Sequence, residues 1–331
     1  MYNQNQVNEI GEVNMHNGLQ LKGRQAFTDV KPPLSRRIKD NKYLLLMFLP
    51  VIVYYIIFSY IPMYGVVTAF QKYNPGLGIF RSEFAGLLQF ERLFRADAFF
   101  RDFRNTLLIG LYSILWGFPI PIIFALFINE MKDGLYKRFV QSVSYLPRFI
   151  SMVVAAGMVM AFVDPYSGII NRILIILGGQ SVNFMTEANW FRTIYIASDV
   201  WQFFGWNSII YIAALSSINP ELYESSEIDG ATRFQKMLHV TLPGIQTTII
   251  ILLILTMGSV LNVGFEKILV MYNEATYETA DVLQTYIYRI GIMRANYSFA
   301  SAAGLFNSVV NLILLVFFNF LSRKATHTSL F

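Results

Sequence analysis

Apolar side chains fall along this chain in long unbroken runs rather than at helical or strand spacing. Residues 43–71, 105–129, 200–220, 240–265 and 295–322 contain no Asp, Glu, Lys or Arg, and 139–163 contains Arg148 alone. Each run is long enough for the roughly 20 residues that cross a hydrocarbon core about 30 Å thick. The pattern predicts six membrane-spanning helices, at 43–66, 107–128, 142–163, 191–214, 245–270 and 299–321. The expected fold class is therefore an all-α integral membrane protein. A further apolar stretch, 169–177, is too short to span and reads as a surface or re-entrant helix outside the membrane. Residues 1–42 are polar and rich in Asn and Gln, a tail ahead of a six-helix domain at 43–331. The first span begins too late for a cleaved signal peptide and reads as an uncleaved anchor.

Composition agrees with this reading: the 331 residues are 55% apolar and 14% charged, where a soluble domain carries about 25% charge. With no cysteine, disulfides, thiol nucleophiles and cysteine-ligated metals are excluded. His16, His239 and His327 lie far apart, so no metal site is expected. Placing the N-terminus inside puts fourteen Lys and Arg on inner segments and nine on outer ones, with Arg148, Arg192 and Lys267 at boundaries. That bias predicts a multi-pass protein of the cell membrane with both termini cytoplasmic. The net charge of +5 then reflects topology and anionic lipid, and no nucleic-acid partner is expected. In the outer segment 70–106, charges interleave with Phe90, Phe94, Phe99 and Phe103, which predicts an amphipathic helix lying on the outer surface.

The loop at 219–243, cytoplasmic in this topology, carries dense local signals. Asn219 can cap a helix that opens on Pro220, with Glu221, Glu224 and Glu227 following. Gly230 can take the positive φ that ends it, and Thr232 with Gln235 forms a capping-box pattern for a second helix. Phe234, Met237 and Leu238 line one face of that helix, and Pro243 forbids it to continue unchanged into the fifth span. The outcome is a helix–turn–helix knuckle with an apolar stripe that needs a cover, or else a loop that merely braces the bundle.

At these residues the chain resembles the permease subunits of type I binding-protein-dependent ABC importers. Their signature reads Glu-Ala-Ala, three residues, Gly, nine residues, then Ile-x-Leu-Pro. Glu224, Ser225, Ser226, Gly230, Val240, Leu242 and Pro243 fit every spacing, with Ser for both alanines and Val for Ile. The string from Glu227 through Asp229 to Ala231 looks like the carbohydrate-uptake branch. The long polar N-terminus and the turn at Asn74, Pro75 and Gly76 are similar to permeases for alginate and rhamnogalacturonan fragments. The resemblance implies the type I permease fold and a knuckle, with Asp229, Phe234 and Met237 among its contacts, that docks on a separate ATPase. It also implies the partners: two ATPase subunits holding ATP and Mg, a second permease as a homologous heterodimer partner, an extracytoplasmic solute-binding protein, an oligosaccharide and membrane lipid.

The chain itself supplies no catalytic residue and binds no cofactor in this reading. A near-match to a phosphate loop at 18–25 lacks the Lys and Ser/Thr that hold phosphate and Mg, and no apolar strand precedes it. Polar side chains inside spans are functional candidates by default. Asp199, Gln202 and Trp206 share a helical face, with Asn207 beside them; Asn262 lies in the fifth span and Asn307 in the sixth. Sugar hydroxyls suit carboxylates and amides, and sugar C–H faces suit aromatic rings, so these residues form a candidate substrate path. The alternative pairs Asp199 with Arg192 or Arg172, uses the asparagines as helix glue, and leaves Lys267 wet at the end of its span. An ion-driven sugar transporter and a membrane-embedded glycosyl or prenyl transferase are the competing functions. They would show paired intramembrane carboxylates or a repeat in the first case, and an Asp-x-x-Asp pair for Mg in the second.

Overall fold

In a computed structural model, residues 41–326 are described. The expected 1–42 tail thus lies almost entirely outside the described residues. The described chain forms two compact units that meet in sequence at Pro62 and Met63.

The first unit is α1 (Lys42–Tyr55) and a π-turn at Ile56–Tyr60. All of its side chains from 43 to 62 are exposed, and mostly apolar.

The second unit opens with a 3-10 turn, Tyr64–Phe70, and a small cap. Strand β1 (Gln71–Lys72) pairs antiparallel with β2 (Glu83–Phe84), with α2 (Gly78–Arg81) between them and α3 (Leu88–Phe94) after them. The single amphipathic surface helix expected over 70–106 is therefore replaced. Lys72 pairs with Glu83 across the ladder at 2.9 Å, and the Phe99 and Phe103 end of the segment belongs to the next long helix. That helix, α4 (Asp97–Gly117), continues past Phe118 as α5 (Pro119–Glu130). Pro119 sits where its missing N–H costs nothing.

Helix α6 (Leu135–Tyr145) starts earlier than the predicted third span and breaks before α7 (Met152–Val163), with a bend of 102°. The causes are local: Pro147 removes a donor, and Ser151 caps α7 by accepting from the Val154 N–H at 3.3 Å. The short helix α8 (Ile169–Ile176) follows in a loop pinned by the buried Asn171, which bonds the backbone of Val163, Asp164 and Val182. Helix α9 (Ala188–Leu215) then runs 28 residues without interruption.

After the knuckle helices α10 (Pro220–Ile228) and α11 (Arg233–Lys236), the predicted fifth span is not one helix. It is α12 (Gln246–Met257), a non-helical stretch at 258–264, and α13 (Phe265–Met271). Glycines bound the stretch, and the Ser259 hydroxyl inside it bonds back to the Leu255 and Thr256 carbonyls. Helix α14 (Leu283–Tyr288) precedes the long α15 (Tyr297–Thr326).

Among the described residues, three helices are long and apolar enough to cross a membrane, and five if each bent pair counts as one. Helix α9 has the length but stays outside that count, because Asp199, Gln202 and Asn207 lower its hydropathy. The core lies where α4, α7 and α9 pack on 263–271 and 280–282, around Ile109, Phe191, Tyr195 and Ile268. A Cβ on Gly205 would collide with the backbone carbonyl of Ser144, so glycine sets how closely α9 and α6 approach.

Candidate functional site

Two regions carry the predicted site residues, a cavity among the helices and the 219–243 knuckle.

The cavity encloses about 370 Å³ between α4, α5, α9, α12 and the non-helical stretch. Asp199, Asn207 and Asn262 line it, with Tyr195, Ser259 and Thr256. Gln202 and Trp206 point elsewhere: Gln202 is buried and donates to the Ile150 carbonyl at 3.0 Å, and Trp206 meets Phe149 edge-on at 5.7 Å. Asn307 lies behind the lining, donating to Asn262 Oδ1 at 3.3 Å. Asn311 donates to the same oxygen at 3.2 Å and Gln284 at 3.4 Å, so Asn262 is held from one side while it faces the cavity from the other.

Asp199 pairs with neither Arg192 nor Arg172. Its partner is Lys267, whose Nζ lies 3.7 Å from Asp199 Oδ1 and 5.6 Å from the centre of the Tyr195 ring. Lys267 is fully buried, against the expectation of a wet residue at a span end, and its amine has no other partner among the described residues. Arg192 instead donates to Asn105 Oδ1 at 2.7 Å and to the Thr279 carbonyl at 3.3 Å. The non-helical stretch is braced on both flanks, the Leu261 N–H donating to Asn311 Oδ1 at 3.3 Å and the Gly264 N–H to the Tyr195 hydroxyl at 3.0 Å.

The knuckle follows its sequence signals closely. Asn219 accepts from the Glu221 N–H at 3.1 Å, Gly230 has φ +75°, and Thr232 and Gln235 close a capping box. Ser225 and Ser226 bond back to the carbonyls of Leu222 and Tyr223. Glu224 and Asp229 are exposed, and among the described residues Glu224 makes no side-chain hydrogen bond or ion pair. The clasp between the two helices is Lys236 on Glu227 at 2.5 Å, reinforced by Tyr223 and Thr241 at 3.1 Å. The Lys236 ammonium holds the Glu227 carboxyl below its ordinary range. A π-turn at Met237–Thr241 precedes Leu242 and Pro243; its wider ring accommodates the proline, and the chain bends by 59° before α12. Met237 is half-buried, while Ile228 is 88% and Phe234 64% exposed. The end of α5, at Asn129 and Glu130, shares a recess with Tyr223, Arg233 and Lys236, so it lies at the same end of the bundle.

A cluster at the other end of α4 had no counterpart in the sequence reading. Asp102 and Asp281 are fully buried, 179 positions apart, and held by Arg101 and Arg289. Its only sequence signal is a set of charges flanking apolar runs, and nothing in the order of residues says that they meet. No group of side chains able to hold a metal occurs among the described residues.

Comparison with known proteins gives one consistent match. The profile of binding-protein-dependent transport system inner membrane components matches residues 117–327. The protein LplB of Bacillus subtilis (strain 168) is 40% identical over 294 residues, 89% of this chain and 92% of that one. The polygalacturonan/rhamnogalacturonan transport system permease protein YteP of the same strain is 40% identical over 87% of this chain and 90% of its own length. Among solved structures, a chain of a bacterial alginate ABC transporter in complex with an alginate pentasaccharide-bound periplasmic protein superposes with TM-score 0.83. It is 45% identical and covers 90% of this chain and 99% of that one. A second structure, of an ABC transporter involved in importing the acidic polysaccharide alginate, gives TM-score 0.82 at 45% identity, over 88% of this chain and 99% of that one.

Proposed function

This chain belongs to the binding-protein-dependent transport system inner membrane components, and from that premise we propose that it is the membrane-spanning subunit of an ATP-driven oligosaccharide importer. It performs no chemistry of its own; a separate pair of ATPase subunits binds ATP and Mg. A second, homologous permease completes the pore, and an extracytoplasmic binding protein delivers the sugar. Helix α9 is its fourth crossing, polar because it faces the path, and both termini lie in the cytoplasm.

The knuckle at 219–243 is the mechanical joint. The observation that carries this reading is its combination of a locked interior with an uncovered face. Caps, a capping box and the Glu227–Lys236 pair fix its shape, yet Ile228 and Phe234 stand in the open. A rigid apolar protrusion of this kind is completed by a partner's groove. ATP-driven closure of that groove around Phe234, Met237 and Leu242 would push α9 and α12 as rigid rods, with Glu224 and Asp229 meeting the ATPase at the rim. Substrate passes the cavity, where Asp199, Asn207 and Asn262 meet sugar hydroxyls and Lys267 neutralises Asp199 from behind. Acidic oligosaccharides are the substrate class supported by the relatives that import alginate and polygalacturonan.

The test is uptake into proteoliposomes holding the complex that co-purifies with this chain. Uptake should require ATP and the binding protein, and should persist when ion gradients are collapsed. Uptake that follows an ion gradient without ATP would replace the reading with a secondary transporter.

A further inference from the structure

Arg148 interrupts the apolar run 139–163. In the fold it sits at the break between α6 and α7, and that break lies against the middle of α9. The Ile150 carbonyl takes the Gln202 amide, Phe149 packs edge-on against Trp206, and Gly205 lies against Ser144. From Trp206 to the near end of α9 at Leu215 is nine residues, about 14 Å along a helix. Arg148 is therefore far from both ends of the bundle.

At that depth it is not buried. Its side chain is exposed, with Phe149 72% and Trp206 41% exposed beside it. Its guanidinium carbon lies 5.0 Å from the centre of the Phe203 ring and 6.0 Å from that of Trp206. Among the described residues no carboxylate pairs with it. An unpaired cation held mid-span faces an aqueous path or the inside of an assembly, because hydrocarbon strongly disfavours it. The rings fix the guanidinium by their faces, which leaves its N–H edges free, and a guanidinium edge matches a carboxylate with two parallel hydrogen bonds. The exposed indole and phenyl beside it suit the C–H face of a sugar ring.

The neighbouring cavity offers the complementary chemistry. Among the described residues Asp199 is the one charged side chain lining it, and Asn207, which also lines it, directly follows Trp206. That lining offers partners for hydroxyls and, among the described residues, presents no cation to a carboxylate. We propose that Arg148, seated on Phe203 and Trp206, reads the carboxylates of an acidic oligosaccharide during passage, and that it is a specificity-determining residue of the path. The proposal rests on the importer reading and deepens it.

The absence of cysteine from the chain allows a direct test with Arg148→Cys in the co-purified complex. Uptake of an alginate pentasaccharide should fall roughly ten- to a hundredfold, the range of a lost hydrogen bond between charged groups. An aminoethyl thiosulfonate, which puts a cation back on the introduced thiol, should restore most of it; a methyl thiosulfonate should not. Turnover with the pentasaccharide should slow labelling of that thiol. Arg148→Lys should keep more uptake than Arg148→Cys. Unchanged uptake in Arg148→Cys, equal rescue by the methyl adduct, no labelling from water, or Arg148→Lys as defective as Arg148→Cys would each overturn the proposal. A wild-type complex that imports neutral oligosaccharides but no acidic one would also overturn it while leaving the importer reading intact. Failure of all ATP-dependent sugar uptake by wild type would instead sink the importer reading.

Discussion

Asp199→Asn removes the charge that faces the fully buried ammonium of Lys267. At 3.7 Å the gross attraction is about 4.5 kcal/mol for an effective dielectric constant near 20. Most of this offsets the desolvation of Lys267. Breaking a buried pair from one side typically costs about 3–5 kcal/mol, because the surviving charge is stranded. The Asp199 side chain is 31% exposed to the cavity, so water shares its solvation and the lower end, about 3 kcal/mol, is expected. The pair is asymmetric, and that gives the sharper test. Lys267→Met strands only the half-wet Asp199 and should cost less, about 1–2 kcal/mol. The double variant Asp199→Asn with Lys267→Met strands nothing and should recover more than half of the Asp199→Asn loss. Reversible unfolding of the purified permease in mixed micelles, run as a double-mutant cycle, measures all three. If Asp199→Asn proved no more damaging than Lys267→Met, or if the double variant were as unstable as Asp199→Asn alone, Lys267 would not depend on Asp199 and the account of the cavity wall would fail.

Three further outcomes are expected. At Gly230, φ is +75° with open space where a Cβ would go, so Gly230→Ala should cost only backbone strain, about 1 kcal/mol; Gly230→Val should go further and release the ATPase on co-purification while insertion stays normal. Gly205→Ala drives a Cβ into the Ser144 backbone and should cost about 1–3 kcal/mol in thermal stability, whereas a wild-type melting point would mean α6 moves freely against α9. The Glu227 carboxyl is held below its ordinary 4.5 by Lys236, so the clasp contributes fully above that value and is lost as pH falls through the lower folded one. Exchange of knuckle amides, corrected for intrinsic rate, should therefore be flat from about pH 7 to 5 and rise below 4; a rise centred near pH 6 would point to a different group.

What the sequence made legible was whatever is decided within a few residues. The Asn219 cap, the Thr232 and Gln235 box and the Gly230 turn are all local rules, and the knuckle obeys them. The absence of charge located the long apolar runs but could not show them break, because Ser151 and the glycines around 258–264 carry no charge either. Lys267 and Asp199 meet across 68 positions, and Arg289 bridges Asp102 and Asp281 across 179; only the tertiary fold creates such contacts. Helical spacing puts Trp206 and Gln202 on the face of Asp199, which is correct for an isolated helix. The break at Ile150 then claimed Gln202, and Phe149 and Arg148 claimed Trp206.

The non-helical stretch at 258–264 has a consequence for how the chain is made. Two of its amides find their acceptors on other helices, Leu261 on Asn311 and Gly264 on Tyr195. Each amide left bare in lipid costs several kcal/mol. Tyr195 has already left the ribosome when this stretch emerges, but Asn311 has not, since it lies 50 residues further on. The Leu261 amide is therefore expected to stay without its acceptor until α15 brings Asn311 into place, so this stretch should complete its hydrogen bonds late, after the last helix is made.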